Sequence, residues 1–115
     1  MKKHLSCILV LLVAGCASDP APTEQLRLTE QALIQARAVG ASEQTPELAL
    51  AEQKLAAATA AMKEERYREA RLQAEEAELD ARLAEAAVLN EKSQLEVAEL
   101  NRRIARLREQ LGDLQ

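Results

Sequence analysis

The chain has 115 residues and a formal net charge of −4, with no Trp, no Phe, one Tyr and one His. An acidic balance whose only basic run lies near the C-terminus excludes the broad cationic surface that nucleic-acid binding needs. Large apolar side chains supply about 1.5–3 kcal/mol each on full burial and Ala far less, so this Ala-rich, aromatic-poor composition excludes a thick globular core.

The first predicted element is a leader. Lys2 and Lys3 precede a largely apolar run, Leu5–Val13, which ends in the small residues Ala14 and Gly15. Crossing a bilayer takes roughly 20 apolar residues, and this run has fewer than half of them. The layout is that of a secretory signal over residues 1–15.

Val13-Ala14-Gly15-Cys16 resembles the lipobox of bacterial lipoproteins. The resemblance implies cleavage between Gly15 and Cys16, with an S-diacylglyceryl group and an N-acyl chain on Cys16. Each buried CH₂ contributes about 0.8 kcal/mol and one acyl chain holds only marginally; two or three hold durably. Cleavage leaves 100 residues, with 13 basic against 19 acidic side chains and a net charge of −6. Cys7 departs with the leader and Cys16 is alkylated, so no thiol remains for a disulfide. Ala17, not Asp, follows Cys16. Under the sorting pattern of enteric lipoproteins this implies an outer-membrane, periplasm-facing location, with the inner membrane as the other candidate.

Residues 16–22 read as the lipidated N-terminus and a short tether, "ASDPAP" being small, polar and proline-bearing. The remainder, residues 23–115, reads as one helical domain. A first helix is predicted over about 23–39, with Leu26, Thr29, Leu33 and Ala36 on one face and Gly40 as the residue that ends it. Thr45, Pro46 and Glu47 then form a helix start: an N-cap hydroxyl, a proline at the first position and an acid in the first turn.

The second helix is predicted over about 46–62, burying Leu48, Ala51, Leu55, Ala58 and Met62. No Gly or Pro occurs from Glu47 to Leu111, so propensity alone permits one helix about 97 Å long. The charge concentrated in "MKEERYREA", with the only aromatic just behind it, predicts a tight turn at Lys63–Arg66 instead.

Residues 46–86 resemble a bacterial family of small Ala-rich lipoproteins and periplasmic helical domains, the domain of unknown function 4398. The resemblance rests on Pro46-Glu47-Leu48, Lys54-Leu55, Tyr67, Ala70, Ala77 and Asp80-Ala81. It implies OmpA-like peptidoglycan-binding proteins as envelope neighbours. Family members often carry Gly and Asp or Asn before the Tyr, where this chain has Glu65-Arg66. The segment is also similar to a single tetratricopeptide hairpin, with Ala58, Tyr67, Ala70 and Ala77 at its packing positions. A solenoid needs about three repeats, so a solitary hairpin is the expectation.

The third helix, about 67–111, carries two apolar rows on nearly opposite sides. Ala70, Ala74, Ala77, Ala81, Ala84 and Val88 suit close approach by a neighbouring helix. Leu72, Leu79, Leu83 and Ala86 begin the other row, which continues through Val97, Leu100, Ile104, Leu107, Leu111 and Leu114. Its seven-residue repeat puts Leu83, Asn90, Val97, Ile104 and Leu111 at a and Leu79, Ala86, Ser93, Leu100, Leu107 and Leu114 at d. Asn90, Val97, Leu100, Ile104, Leu107 and Leu111 are therefore the candidate oligomer seam. A parallel homodimer would set Arg103 at g against Arg108 at e; antiparallel pairing, a higher oligomer or an acidic partner would not. Arg102, Arg103, Arg106 and Arg108 form the candidate contact for an acidic partner.

The fold expected is all-α, a helical hairpin or three-helix arrangement with a long C-terminal helix of coiled-coil character. His4 leaves with the leader, and the remaining chain offers neither imidazole nor thiol for general-base, metal or nucleophilic chemistry. A raised-pKa carboxylate pair wants a cleft, which a thin hairpin does not supply. No cofactor, no metal site and no enzymatic activity are expected. The function expected is a membrane-anchored structural or interaction module of the periplasmic envelope. The alternative is a murein-lipoprotein-like coiled-coil spacer between outer membrane and peptidoglycan, although those proteins attach through a C-terminal Lys and this chain ends Leu114-Gln115. A ligand carrier would want an apolar pocket, which an Ala-lined seam rarely leaves.

Overall fold

The computed structural model describes residues 19–112, and the described residues form three helices. They are α1, Thr23–Ala38; α2, Pro46–Lys63; and α3, Tyr67–Gly112. The expected signal, its expected cleavage position at Gly15 and Cys16, where the modification is expected, lie outside the described residues, as does Leu114.

The start of α3 is close to Pro20, whose carbonyl accepts from Arg71 Nη2 at 3.2 Å, and Thr29 Oγ1 reaches the Ala74 carbonyl at 2.8 Å. Farther along, Lys92 Nζ donates to the Val39 carbonyl at the end of α1. These contacts run in the same order along both helices, so α1 lies parallel to α3, and α2 returns antiparallel between two short turns. Pro20 is already held, and Pro22 is buried. The last residues read as tether are thus part of the folded body.

Both turns use the same device. At the end of α1, the Ala41 N–H donates to the Ala36 carbonyl and the Gly40 N–H to Arg37, with Gly40 at φ 110°. At the end of α2, the Arg66 N–H donates to Ala61 and the Glu65 N–H to Met62, with Glu65 at φ 59°. Each pair is a Schellman closure, which needs a left-handed residue at C′. Gly40 adopts that conformation freely, whereas Glu65 pays a steric penalty of about 1–2 kcal/mol.

The start of α2 departs from expectation in one respect. Thr45 occupies the N-cap position, but its side chain makes no bond to the helix. Its hydroxyl instead accepts from the Ser42 N–H at 3.1 Å, tightening the loop, and the Thr45 carbonyl takes the first helical bonds.

The core is a seam of small residues. Ala70, Ala74, Ala77, Ala81 and Ala84 of α3 are fully buried, as are Ala51 and Ala58 of α2 and Ala36 of α1. Methyl-only side chains let helix axes approach to about 8 Å, which replaces large-side-chain burial with close backbone packing. Leu48 is the bulkiest fully buried residue, with Leu33 almost as deep, and Leu55 and Val88 pack against the same cluster. On α2, Ala61 is buried while Met62, expected inside, is only half-buried. Thr29, the one fully buried polar side chain among the described residues, shares its hydroxyl hydrogen between the Gln25 and Ala74 carbonyls, so its hydroxyl is not stranded.

Candidate interaction surface

α3 outruns its partners. Lys92 and Val88 lie against Gly40, and from Glu91 to Gly112 every residue except Glu99 is exposed. The second row of apolar residues is open along its length. Leu72, Leu79 and Leu83 are exposed beside the bundle, and Val97, Leu100, Ile104, Leu107 and Leu111 beyond it. Leu79 is 66% exposed although Ala81, two residues on, is at 0%. That contrast follows from the 200° between positions i and i+2, which sends one row to the bundle and the other to water.

Asn90 and the five apolar seam residues therefore share one open face. The four arginines are less alike. Glu99 sits among three of them: Arg103 Nε donates to it at 3.0 Å and Arg106 Nη2 at 3.4 Å, and Arg102 forms an ion pair with it at 3.4 Å. Arg108 is not in that cluster. Much of the positive charge expected to face a partner is thus gathered around one carboxylate of the same helix, an exposed arrangement of small energetic worth.

Some ion pairs in the bundle reach from one helix to another. Lys54 of α2 contacts Asp80 at 2.8 Å and Glu76 at 3.2 Å, both on α3. Hydrogen bonding to Asp80 first and Glu76 second raises the Lys54 pKa above 10.5. Glu78 accepts from Arg82 within α3 and from Gln25 Nε2 of α1 at 2.7 Å. The Arg82 bond chiefly, helped by Gln25, holds the Glu78 carboxyl below 4.5. Arg37 of α1 meets Glu52 of α2 at 2.5 Å. These carboxylates are occupied in fastening helices together.

One feature escaped the sequence pattern. α1 and α2 each pack mainly on α3 and touch one another less, leaving an open groove of about 760 Å³ between them. Leu33, Ile34, Leu55, Ala56 and Ala60 line it together with charged side chains of both signs, among them Arg37, Lys63 and Glu52. Its sequence signal is Ile34, a large apolar residue off the buried stripe of α1, which is 64% exposed in the structure.

The chain matches the family described as domain of unknown function DUF4398 over residues 24–100. It belongs to the DUF4398 family. A solved structure from Pseudomonas aeruginosa PAO1, the DUF4398 family protein PA2901, is 58% identical, with a TM-score of 0.80. The similarity covers 84% of this chain and all of that one. No curated protein matches. The DUF4398 match extends through Leu100, beyond the bundle and into the protruding part of α3.

Proposed function

We propose that this DUF4398 protein is a lipid-anchored component of the bacterial envelope whose helical domain is a structural or protein-interaction module and performs no catalysis. Cys16 carries the anchor, and the domain faces the periplasm from the outer membrane. The anchor reading is supported by Lys2-Lys3, the short apolar run and Val13-Ala14-Gly15-Cys16. No helix among the described residues is long and apolar enough to cross a membrane.

The observation that carries the interaction reading is the protruding half of α3. It bears an unpaired apolar row at coiled-coil spacing, the form of a surface that buries itself against another helix. The non-catalytic reading is supported by the carboxylates, which are engaged with Lys54, Arg82 and the Glu99 arginines rather than grouped in a cleft. OmpA-like peptidoglycan-binding proteins are the envelope partners this reading favours.

Intact-mass analysis of protein extracted from membranes tests the anchor. The expected species lacks residues 1–15 and carries a diacylglyceryl group and an acyl chain on Cys16. A full-length chain with a free thiol, recovered from the cytosol, would refute it. Proximity labelling from the domain in intact cells tests the second part. Envelope proteins should be enriched and then lost on Leu100→Asp with Leu107→Asp; enrichment of cytosolic proteins alone would overturn the placement.

A further inference from the structure

The charges beside the exposed seam decide what covers it. Val97 and Ile104 occupy a, Leu100 and Leu107 occupy d, Glu96 and Arg103 occupy g, and Asn101 and Arg108 occupy e. In a parallel pair, g meets the following e of the other helix. Arg103 would then oppose Arg108 twice, and Glu96 would find only Asn101.

In an antiparallel pair, g meets g and e meets e. Setting Val97 of one helix level with Leu100 of the other brings Glu96 opposite Arg103 on both sides of a two-fold axis, and Gln94 opposite Asn101. A slip of one heptad one way opposes Arg103 to its own copy. A slip the other way opposes Glu96 to its own copy. Of these three antiparallel alignments, one pairs opposite charges and the other two oppose like charges.

We infer that α3 pairs with a second copy of itself, antiparallel, with Val97 and Leu100 around the two-fold axis and Glu96 bridging to Arg103 of the other copy. The two central layers are apolar. Outward from them come Ser93 with Ile104, Asn90 with Leu107, and Ala86 with Leu111. The half-polar layers weaken the seam and favour a reversible dimer over a permanent one. The same patch serves both copies, as a two-fold interface requires.

The bundles do not obstruct this pairing. Ala81, Ala84 and Val88 face α1 and α2 from the opposite side of the helix, leaving the seam clear among the described residues. The overlap covers residues 86–111; within it only Val88 and Lys92 meet the end of α1 among the described residues, and the rest of each bundle lies beyond its end. The N-terminal segments, held beside Arg71, then sit about 80 Å apart along the rod. The dimer does not depend on the lipid anchor. Where the anchor is present, two lipidated ends hold the rod along a membrane rather than upright.

The test uses the mature chain, residues 16–115, with Cys16→Ser so that neither lipid nor thiol is present. Sedimentation equilibrium should give a reversible monomer–dimer system. Arg103→Glu should weaken association at least about tenfold by opposing two carboxylates at each bridge. In a parallel dimer the same change would meet Arg108 and tighten binding. Exchanging both charges, Glu96→Arg with Arg103→Glu, should return the dissociation constant to within about threefold of the parent. Circular dichroism checks that each variant keeps its helices. Mixing Ser93→Cys and Ile104→Cys chains under oxidation should yield the mixed disulfide and no Ile104→Cys homodimer. A monomer up to roughly 1 mM, tighter binding on Arg103→Glu, or failure of the exchange to restore it would each overturn the inference. A monomer would assign the seam to a different protein.

Discussion

Ala81 and Ala105 lie on one unbroken helix, yet Ala81 is fully buried and Ala105 exposed. Between Ala70 and Val88, α3 is the spine of a bundle, with a row of methyl groups against which α1 and α2 close. Beyond Lys92 every described residue except Glu99 is exposed, and the large side chains lie on the face the bundle leaves open. The two halves invert the ordinary relation between size and burial. Small residues are inside because close helix approach is the only packing they permit, and large ones are outside where a second surface can reach them.

Adding bulk to each half separates them most sharply. Ala81→Leu forces three methylene-sized groups into a seam without room and should cost about 3 kcal/mol or more in urea unfolding. Ala105→Leu should change the same transition by less than about 0.5 kcal/mol. Comparable losses at both positions would mean that the protruding half is packed in solution.

Removing bulk gives the next largest difference. Leu48→Ala opens a cavity at the deepest large side chain and should cost about 2–4 kcal/mol. Leu107→Ala, at a position 57% exposed, should leave the bundle's unfolding almost unmoved while weakening self-association.

The bundle half was the more legible in sequence, for physical reasons. The faces of α1 and α2, the five-alanine row and the helix end at Gly40 all express a 3.6-residue period or a backbone need that only certain residues meet. Pro46 marks its helix start in the same way. The second turn was readable only through clustered charge and the adjacent Tyr67, because Glu65 takes a left-handed conformation that its residue type does not announce. Thr45 looked like a capping hydroxyl, but whether it bonds forward or back depends on loop geometry set by Ser42. Lys92 closing the end of α1, 53 positions away in sequence, had no local signal at all. The arginine run was visible as charge, but its gathering around Glu99 depends on rotamers rather than on spacing alone.

The two turns of the bundle half should respond oppositely to glycine. Glu65→Gly relieves the left-handed strain and should stabilise the protein by about 1 kcal/mol in thermal or urea unfolding. Gly40→Ala should destabilise by about 1 kcal/mol, and the cause is backbone rather than space. A Cβ there would meet Lys92 Nζ at 3.5 Å and Val88 Cγ1 at 3.7 Å, both ordinary contacts. If Glu65→Gly were destabilising, packing of the Glu65 side chain would outweigh the strain.

The smallest expected difference concerns charge. In the bundle Glu78 and Asp80 reach side chains of other helices, whereas Glu99 joins arginines of its own. Because Arg82 and Gln25 hold Glu78 below 4.5, its contribution is complete above pH 4.5 and is lost as pH falls through the lowered value. Lys54 behaves in the opposite sense: raised above 10.5, its contribution is complete below pH 10.5 and is lost as pH rises through the higher value. The melting temperature of the bundle should therefore be level between these limits and decline outside both. Glu78→Gln should lower it by about 2 °C at neutral pH and by less in acid, where the carboxylate is already protonated. Glu99→Gln should leave it unchanged, because the arginines it releases touch no other helix among the described residues. A drop on Glu99→Gln equal to that on Glu78→Gln would show the two halves melting as one unit, and the seam would then have to be covered before the bundle unfolds.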